Sequence, residues 1–169
     1  LKPLQNLAVI EQSAFEKEKE NDSFKQFLRK QNSLEVDEIV QKLNTEISPQ
    51  IDCTQCGNCC RSLMINVEKN DAERLATHLN ISSENFYKKY IETSSEGNLS
   101  VMNKIPCHFL HENKCTVYEA RPNECREFPG LDQPNFVQRL FATFMHYQRC
   151  PIIYNVVENL KQELNFKSY

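Results

Sequence analysis

Residues 53–61 read Cys-Thr-Gln-Cys-Gly-Asn-Cys-Cys-Arg, so four thiols fall within eight residues. A Cys-x2-Cys step brings two sulfurs to one side of a tight turn. Gly57, directly after Cys56, supplies the positive φ that lets backbone N–H groups point at a thiolate. The step from Cys56 to Cys59 repeats the spacing. Cys53, Cys56 and Cys59 therefore form a C-x2-C-x2-C run of the kind that supplies three corners of a cubane iron–sulfur cluster, while C-x2-C-G serves a zinc knuckle equally well. Cys59 and Cys60 are adjacent and their side chains tend to diverge, so they feed two neighbouring sites or one of them stands apart. The other four cysteines, Cys107, Cys115, Cys125 and Cys150, lie downstream. Eight thiols divide into two four-thiolate sites or serve one cluster with thiols to spare.

The basic residues fit this chemistry. Arg61, Arg126 and Arg149 each adjoin a cysteine, and Arg121 lies four residues before Cys125. A zinc ion or cubane core held by four thiolates carries a net charge of about minus two, which nearby guanidinium groups would stabilise. These four arginines are the candidate cofactor-binding cations, with ordinary surface charge as the alternative for each. A disulfide framework competes for the cysteines. No secretory signal is visible, however, and four cysteines in eight residues are awkward to bridge at normal Cα separations. His108, His111 and His146 are secondary ligand candidates, since imidazole can replace a thiolate.

Composition narrows the rest. The chain has 169 residues, 40% of them hydrophobic, enough for one cored domain with an appendage. Its net charge is −3, with no basic run to favour nucleic acid and no apolar stretch of membrane-spanning length. Three glycines make no phosphate-cradling loop. A cytoplasmic protein is the expectation.

Residues 1–50 hold no cysteine and read as helix. Leu4, Leu7, Ala8, Ile10 and Ala14 recur at helical spacing, a charged run covers Glu16 to Glu20, and Asn21 to Ser23 suggest a break before Phe24, Phe27 and Leu28. Asn32 with Glu35 has capping-box spacing and opens a segment with Val36, Ile39, Val40, Leu43 and Ile47 on one face. Pro49 ends it. These stripes are expected to pack on the cysteine segment, residues 51–151. There, alternation from Leu63 to Val67 predicts a strand, Asn70 with Glu73 a capped helix, and Ser82 the start of another. Leu99 and Val101 suggest a further strand. Next, His-Glu-Asn-Lys (111–114) reads as the turn of a hairpin that would bring Cys107 and Cys115 within reach of one site. Pro122 starts a short helix that places Cys125 about one turn in, and Pro129 stops it. An aromatic amphipathic helix is expected over 135–149, with Phe136, Leu140, Phe141, Phe144 and Met145, and a final helix from Ile152 to about Phe166. The predicted class is α+β, mostly helical: a small metal-centred cysteine domain with short strands or a hairpin, flanked by helical segments 1–50 and 152–169.

Taken together, C-x2-C-G-x-C-C-R (53–61), P-C-x-F-L (106–110), C-x-V-Y-x2-R-P-x2-C-R-x-F-P (115–129) and C-P (150–151) resemble the YkgJ-type cysteine-cluster family, which is described as a zinc- or iron-chelating domain with eight cysteines. The resemblance spans residues 51–151 and implies chelation by all eight cysteines. It implies no particular reaction. Two functional classes follow. One is a protein that carries an iron–sulfur cluster with a redox or electron-transfer role, slightly preferred because of the C-x2-C-x2-C run. The other is a zinc-stabilised structural module that docks a protein partner through its helical ends. No acid–base pair or nucleophile apart from the thiols stands out for catalysis.

Overall fold

The computed structural model describes residues 2–167. In chain order the helices are α1 (Leu7–Glu16), α2 (Glu18–Leu28), α3 (Ser33–Ile47), α4 (Cys53–Cys56), α5 (Asn58–Ser62), α6 (Lys69–His78), α7 (Ser83–Tyr90), α8 (Asn123–Glu127), α9 (Leu140–Tyr147) and α10 (Pro151–Glu163). The strands are β1 (Ile91–Thr93), β2 (Ser100–Met102), β3 (Leu110–His111) and β4 (Lys114–Cys115), which form two antiparallel hairpins. The fold is thus α+β and mostly helical. The chain divides into two compact units: a helical unit up to Asp52 and from Pro129 onward, and a cysteine unit, Cys53–Phe128. Residues 129–151, read from sequence with the cysteine segment, group with the terminal helices.

In the helical unit α10 is buried almost all the way round, with Ile152, Ile153, Tyr154, Asn155, Val156, Val157, Leu160 and Lys161 all inside. Pro151 at its first turn has the φ a helix needs and no N–H to leave unpaired. The apolar faces of the N-terminal helices close over it: Ile10 of α1, Phe24 and Leu28 of α2, and Val36, Val40, Leu43 and Ile47 of α3. At its end Asn165 takes a left-handed conformation, and the Phe166 N–H returns to the Lys161 carbonyl at 2.9 Å. The helix therefore stops short of the predicted Phe166.

Burial on all sides obliges the polar residues of α10 to find partners. Asn155 exchanges two hydrogen bonds with the backbone of Leu4, accepting from its N–H at 2.9 Å and donating to its carbonyl at 2.8 Å. Lys161 Nζ donates to Glu20 at 2.6 Å and to Asn21 Oδ1 at 2.7 Å, and pairs with Glu158 at 2.7 Å. Lys17 also pairs with Glu158, and the Tyr147 hydroxyl donates to it at 2.7 Å. Burial alone would raise the Glu158 pKa, but the bonds from Lys161 and Lys17 outweigh it and the net shift is downward. The same network corrects the predicted break at Asn21–Ser23. Asn21 turns inward to Lys161, so α2 runs unbroken through it, and the chain bends at Lys17 instead.

The segment 135–149 is not one helix either. Asp37 of α3 accepts from the N–H groups of Asn135 at 2.7 Å and Phe136 at 2.8 Å, with Asn135 at φ 62. A 3-10 turn, Phe136–Arg139, follows before α9 begins. The buried face is Phe136, Leu140, Thr143 and Tyr147, while Phe141 is 83% exposed.

The cysteine unit builds its core from Ile65, Val67, Ala72, Leu75, Ala76, Phe86, Ile91, Met102, Phe109, Val117 and Ala120. Helix α6 is capped two residues earlier than predicted: Glu68, not Asn70, is the N-cap, in a reciprocal box with Asp71. Ser82 caps α7 as expected. In the 63–67 segment Ile65 and Val67 are buried and Met64 exposed, as the alternation requires. It forms one bridge, Asn66 to Val101, rather than a strand: the Val67 N–H bonds the Ser100 carbonyl and the Met102 N–H the Ile65 carbonyl, each at 2.9 Å, and the Asn66 N–H, on the side away from β2, goes to the Glu124 carboxylate. Helix α7 ends at Tyr90, and the chain passes directly into β1, which pairs with β2.

Replacing Lys161 with alanine removes the shared donor of Glu20, Asn21 and Glu158. The expected cost is about 3 kcal/mol, at the low end for a broken buried pair because Lys17 still meets Glu158; urea denaturation of the variant and wild type measures it.

Candidate metal centre

Helices α4 and α5 are single turns separated by Gly57, whose N–H bonds the Cys53 carbonyl at 3.0 Å. Gly57 sits at φ +56, and a Cβ there would meet the Asn113 carbonyl oxygen at 2.9 Å. Both a left-handed backbone and a close neighbour therefore demand glycine. Asn113 is at the tip of the β3–β4 hairpin, where Glu112 at φ 46 and Asn113 at φ 67 form a two-residue turn with the twist antiparallel strands favour. Arg61 fastens loop and hairpin together. One arm of its guanidinium donates to the Cys56 carbonyl at 2.7 Å and the other to Asn113 Oδ1, while Asn113 Nδ2 donates to the Gln55 carbonyl at 3.3 Å. At the base of the hairpin the Cys107 N–H bonds the Cys60 carbonyl at 2.8 Å.

Cys125 arrives on α8, with Pro122 at its N-cap. Glu124 beside it holds Asn66 through both main-chain and side-chain N–H groups. Arg126 donates to the carbonyls of Arg121, at 3.1 Å, and Glu119. Arg121 donates to the Tyr118 carbonyl at 2.6 Å and lies over the Tyr118 ring, 3.7 Å from its centroid.

These contacts gather Cys59, Cys60, Cys107, Cys115 and Cys125 into one half-buried group whose members feel one another's charge. The sulfurs of Cys59 and Cys60 lie 3.9 Å apart. A hydrogen bond from its neighbour eases the ionisation of Cys59, to about 7, and a second charge beside it is strongly opposed, so the Cys60 thiol is pushed far up. Burial raises Cys107 and Cys115, and the other thiols add to it. Cys125 is pushed up to about 12, by burial first and then by Cys107, Cys59 and Cys115. In the opposite sense Arg61 lowers Cys59 and Arg121 lowers Cys115.

Helix α4, with Cys53 and Cys56, packs against β4, which carries Cys115. Cys53 is exposed at the start of α4, Cys56 is half-buried at its end, and Cys150 is buried at the N-cap of α10 in the helical unit, next to Arg149. Of the arginines, Arg61 and Arg121 serve both as charges near thiols and as backbone clamps, and Arg126 gives its donors to carbonyls. His108 bonds Asn103 Oδ1 at 2.6 Å and meets the Tyr90 ring edge-on at 5.0 Å, His111 lies on β3, and His146 on α9. Asn113 and Glu124 hold the site together without carrying ligand chemistry of their own. Asn113 could have been read from the turn preference of Asn in His-Glu-Asn-Lys, whereas nothing local marks Glu124 as a tether.

The donor set suits a soft, thiophilic metal. Its members are sulfurs, and the mutual repulsion that opposes their ionisation is what a cation would relieve. Among the described residues no three Cys, His, Asp or Glu side chains already stand in coordination geometry, so ligation requires the thiols to rotate onto the ion. None of these residues' helices is long and apolar enough to cross a membrane.

Residues 52–150 match the model of the CxxCxxCC family, provisionally described as a zinc- or iron-chelating domain. No curated protein and no solved structure matches the chain.

Two outcomes are expected. The thiol of Cys125 keeps its proton to about 12, against an ordinary 9.0, so above about pH 9 the unfolded chain binds fewer protons than the folded one. Metal-free protein should then lose stability as pH rises from about 8 to about 10, whereas metal affinity should rise over the same interval; urea midpoints and metal titrations at the two pH values read both. Gly57→Ala should cost on the order of 2 kcal/mol, from the left-handed backbone and the contact with Asn113, in the same denaturation assay.

Proposed function

The chain belongs to the CxxCxxCC family of zinc- or iron-chelating domains, and from that premise we propose that its cysteine unit binds iron as an iron–sulfur cluster and serves a redox or electron-transfer role in a reducing, cytoplasmic setting. The observation that carries this reading is the gathering of Cys59, Cys60, Cys107, Cys115 and Cys125 from three separated stretches of chain. What favours iron over zinc is the C-x2-C-x2-C run, which adds Cys53 and Cys56 beside these thiols at the spacing that supplies three corners of a cubane cluster. When bound, the cluster would supply one-electron chemistry. The protein's share is electrostatic and geometric: Arg61 and Arg121 offset thiolate charge, and the half-buried seats of the sulfurs limit access of water.

A second reading has its own support. The thiols sit on short, well-tethered turns, as in closed structural zinc sites, and the protein would then act as an interaction module without catalysis.

Anaerobic expression followed by iron, sulfide and zinc analysis per chain, with a visible spectrum, separates the two. Broad visible absorption with stoichiometric sulfide supports the cluster. A colourless protein with one or two zinc ions supports the module, and a protein purified with neither metal and unable to take up either overturns both. Cys56→Ser is expected to lose metal and soluble yield together, since closed thiolate sites contribute folding free energy; metal analysis of the purified variant checks it.

A further inference from the structure

Helix α6 contributes no thiol, yet two of its side chains are committed to the turn that carries Cys125. The Asp71 side chain is 1% exposed. Its carboxylate accepts from the Glu68 N–H at 3.3 Å, from the Arg74 guanidinium, and from the N–H of Asn123 at 3.1 Å. Asn123 is the first residue of α8, and Cys125 is the third. Pro122, at the N-cap of α8, has no side-chain acceptor, so the cap that a Ser or Asp would give locally comes instead from Asp71 on a different helix. Arg74 holds the other side of the same turn. Its Nε donates to the Ala120 carbonyl at 3.3 Å, and Nη2 to the Arg121 carbonyl at 3.0 Å and Asn123 Oδ1 at 3.3 Å.

The pair thus grips residues 120–123 by both kinds of backbone group, N–H and C=O. The grip has two consequences for Cys125. It fixes where α8 begins, and hence the direction in which its third side chain leaves the helix. It also offsets the repulsion and burial that oppose a thiolate there, because the turn cannot swing away without orphaning a carboxylate that is almost wholly buried.

We propose that Asp71 and Arg74 are positioning residues for chelation, holding Cys125 so that it joins Cys59, Cys107 and Cys115 on the metal. This rests on the chelating function proposed above, with either metal. Outer residues that orient ligands typically govern metal affinity by about 10- to 100-fold.

The test uses the full chain, reduced and metal-free, titrated anaerobically with cobalt(II), whose thiolate charge-transfer absorption reports sulfur ligation. Wild type, Arg74→Ala, Cys125→Ser and the double variant form a cycle, with far-UV circular dichroism confirming that each metal-free protein is folded. Arg74→Ala is expected to weaken cobalt binding by about 10-fold and to lower the charge-transfer intensity about as much as Cys125→Ser does. In the Cys125→Ser background the same substitution should change affinity by less than about 2-fold, because the ligand it serves is already gone. Arg74→Lys keeps a cation for Asp71 but loses the fork, so it should fall between Arg74→Ala and wild type, and it replaces Arg74→Ala in the cycle if the alanine variant does not fold. Full affinity and intensity in Arg74→Ala, or equal losses in both backgrounds, overturn the positioning role and leave chelation standing. A folded wild type without the cobalt–thiolate band overturns both.

Discussion

Thiols brought close together out of water resist ionisation, and a thiolate is the form that binds metal. That conflict organises the cysteine unit. Burial and mutual repulsion raise Cys107, Cys115 and Cys125, and the Cys59–Cys60 pair gives up a first proton readily but not a second. Left to themselves, such groups would move apart. The surrounding backbone prevents it through contacts that do not involve sulfur. Gly57 lies against the carbonyl of Asn113, the Cys107 N–H is bound to the Cys60 carbonyl, and Glu124 is tied to Asn66. The fold bears the cost of crowding in advance, so that a cation entering the site meets thiols held near one another that need only rotate onto it.

Arginine has a double part in this. Arg61 and Arg121 each lower a neighbouring thiol while donating to a carbonyl of the loop that presents it. A planar guanidinium with several donors can do both at once, where a lysine would offer a single point of charge. Arg126 and Arg74 extend the same use to carbonyls at 119–121.

Both units also rely on a buried carboxylate that caps a remote segment. Asp37 on α3 receives the N–H groups of Asn135 and Phe136, and Asp71 on α6 receives that of Asn123. In each case a helical turn begins where its own sequence offers no side-chain cap, and a rigid helix supplies the acceptor. The Lys161 network in the helical unit follows the related rule that a buried cation needs more than one partner, and it finds Glu20, Asn21 and Glu158.

Much was legible locally. The stripe Val36, Val40, Leu43, Ile47 marked α3, the alternation through Ile65 and Val67 marked a buried face, and His-Glu-Asn-Lys marked a hairpin, since each pattern is set by the period of its own backbone. Sequence alone likewise determined the donor chemistry, because eight sulfurs with a C-x2-C-x2-C-C core suit few ligands other than soft metals. Only the tertiary structure decided that α2 continues through Asn21, that Phe141 faces outward, and that Cys59, Cys107, Cys115 and Cys125 share a neighbourhood. Those outcomes depend on partners tens of residues away, Lys161 for Asn21 and Asp71 for the turn before Cys125, and local propensity carries no information about a hydrogen bond whose other half is supplied by a distant stretch of chain.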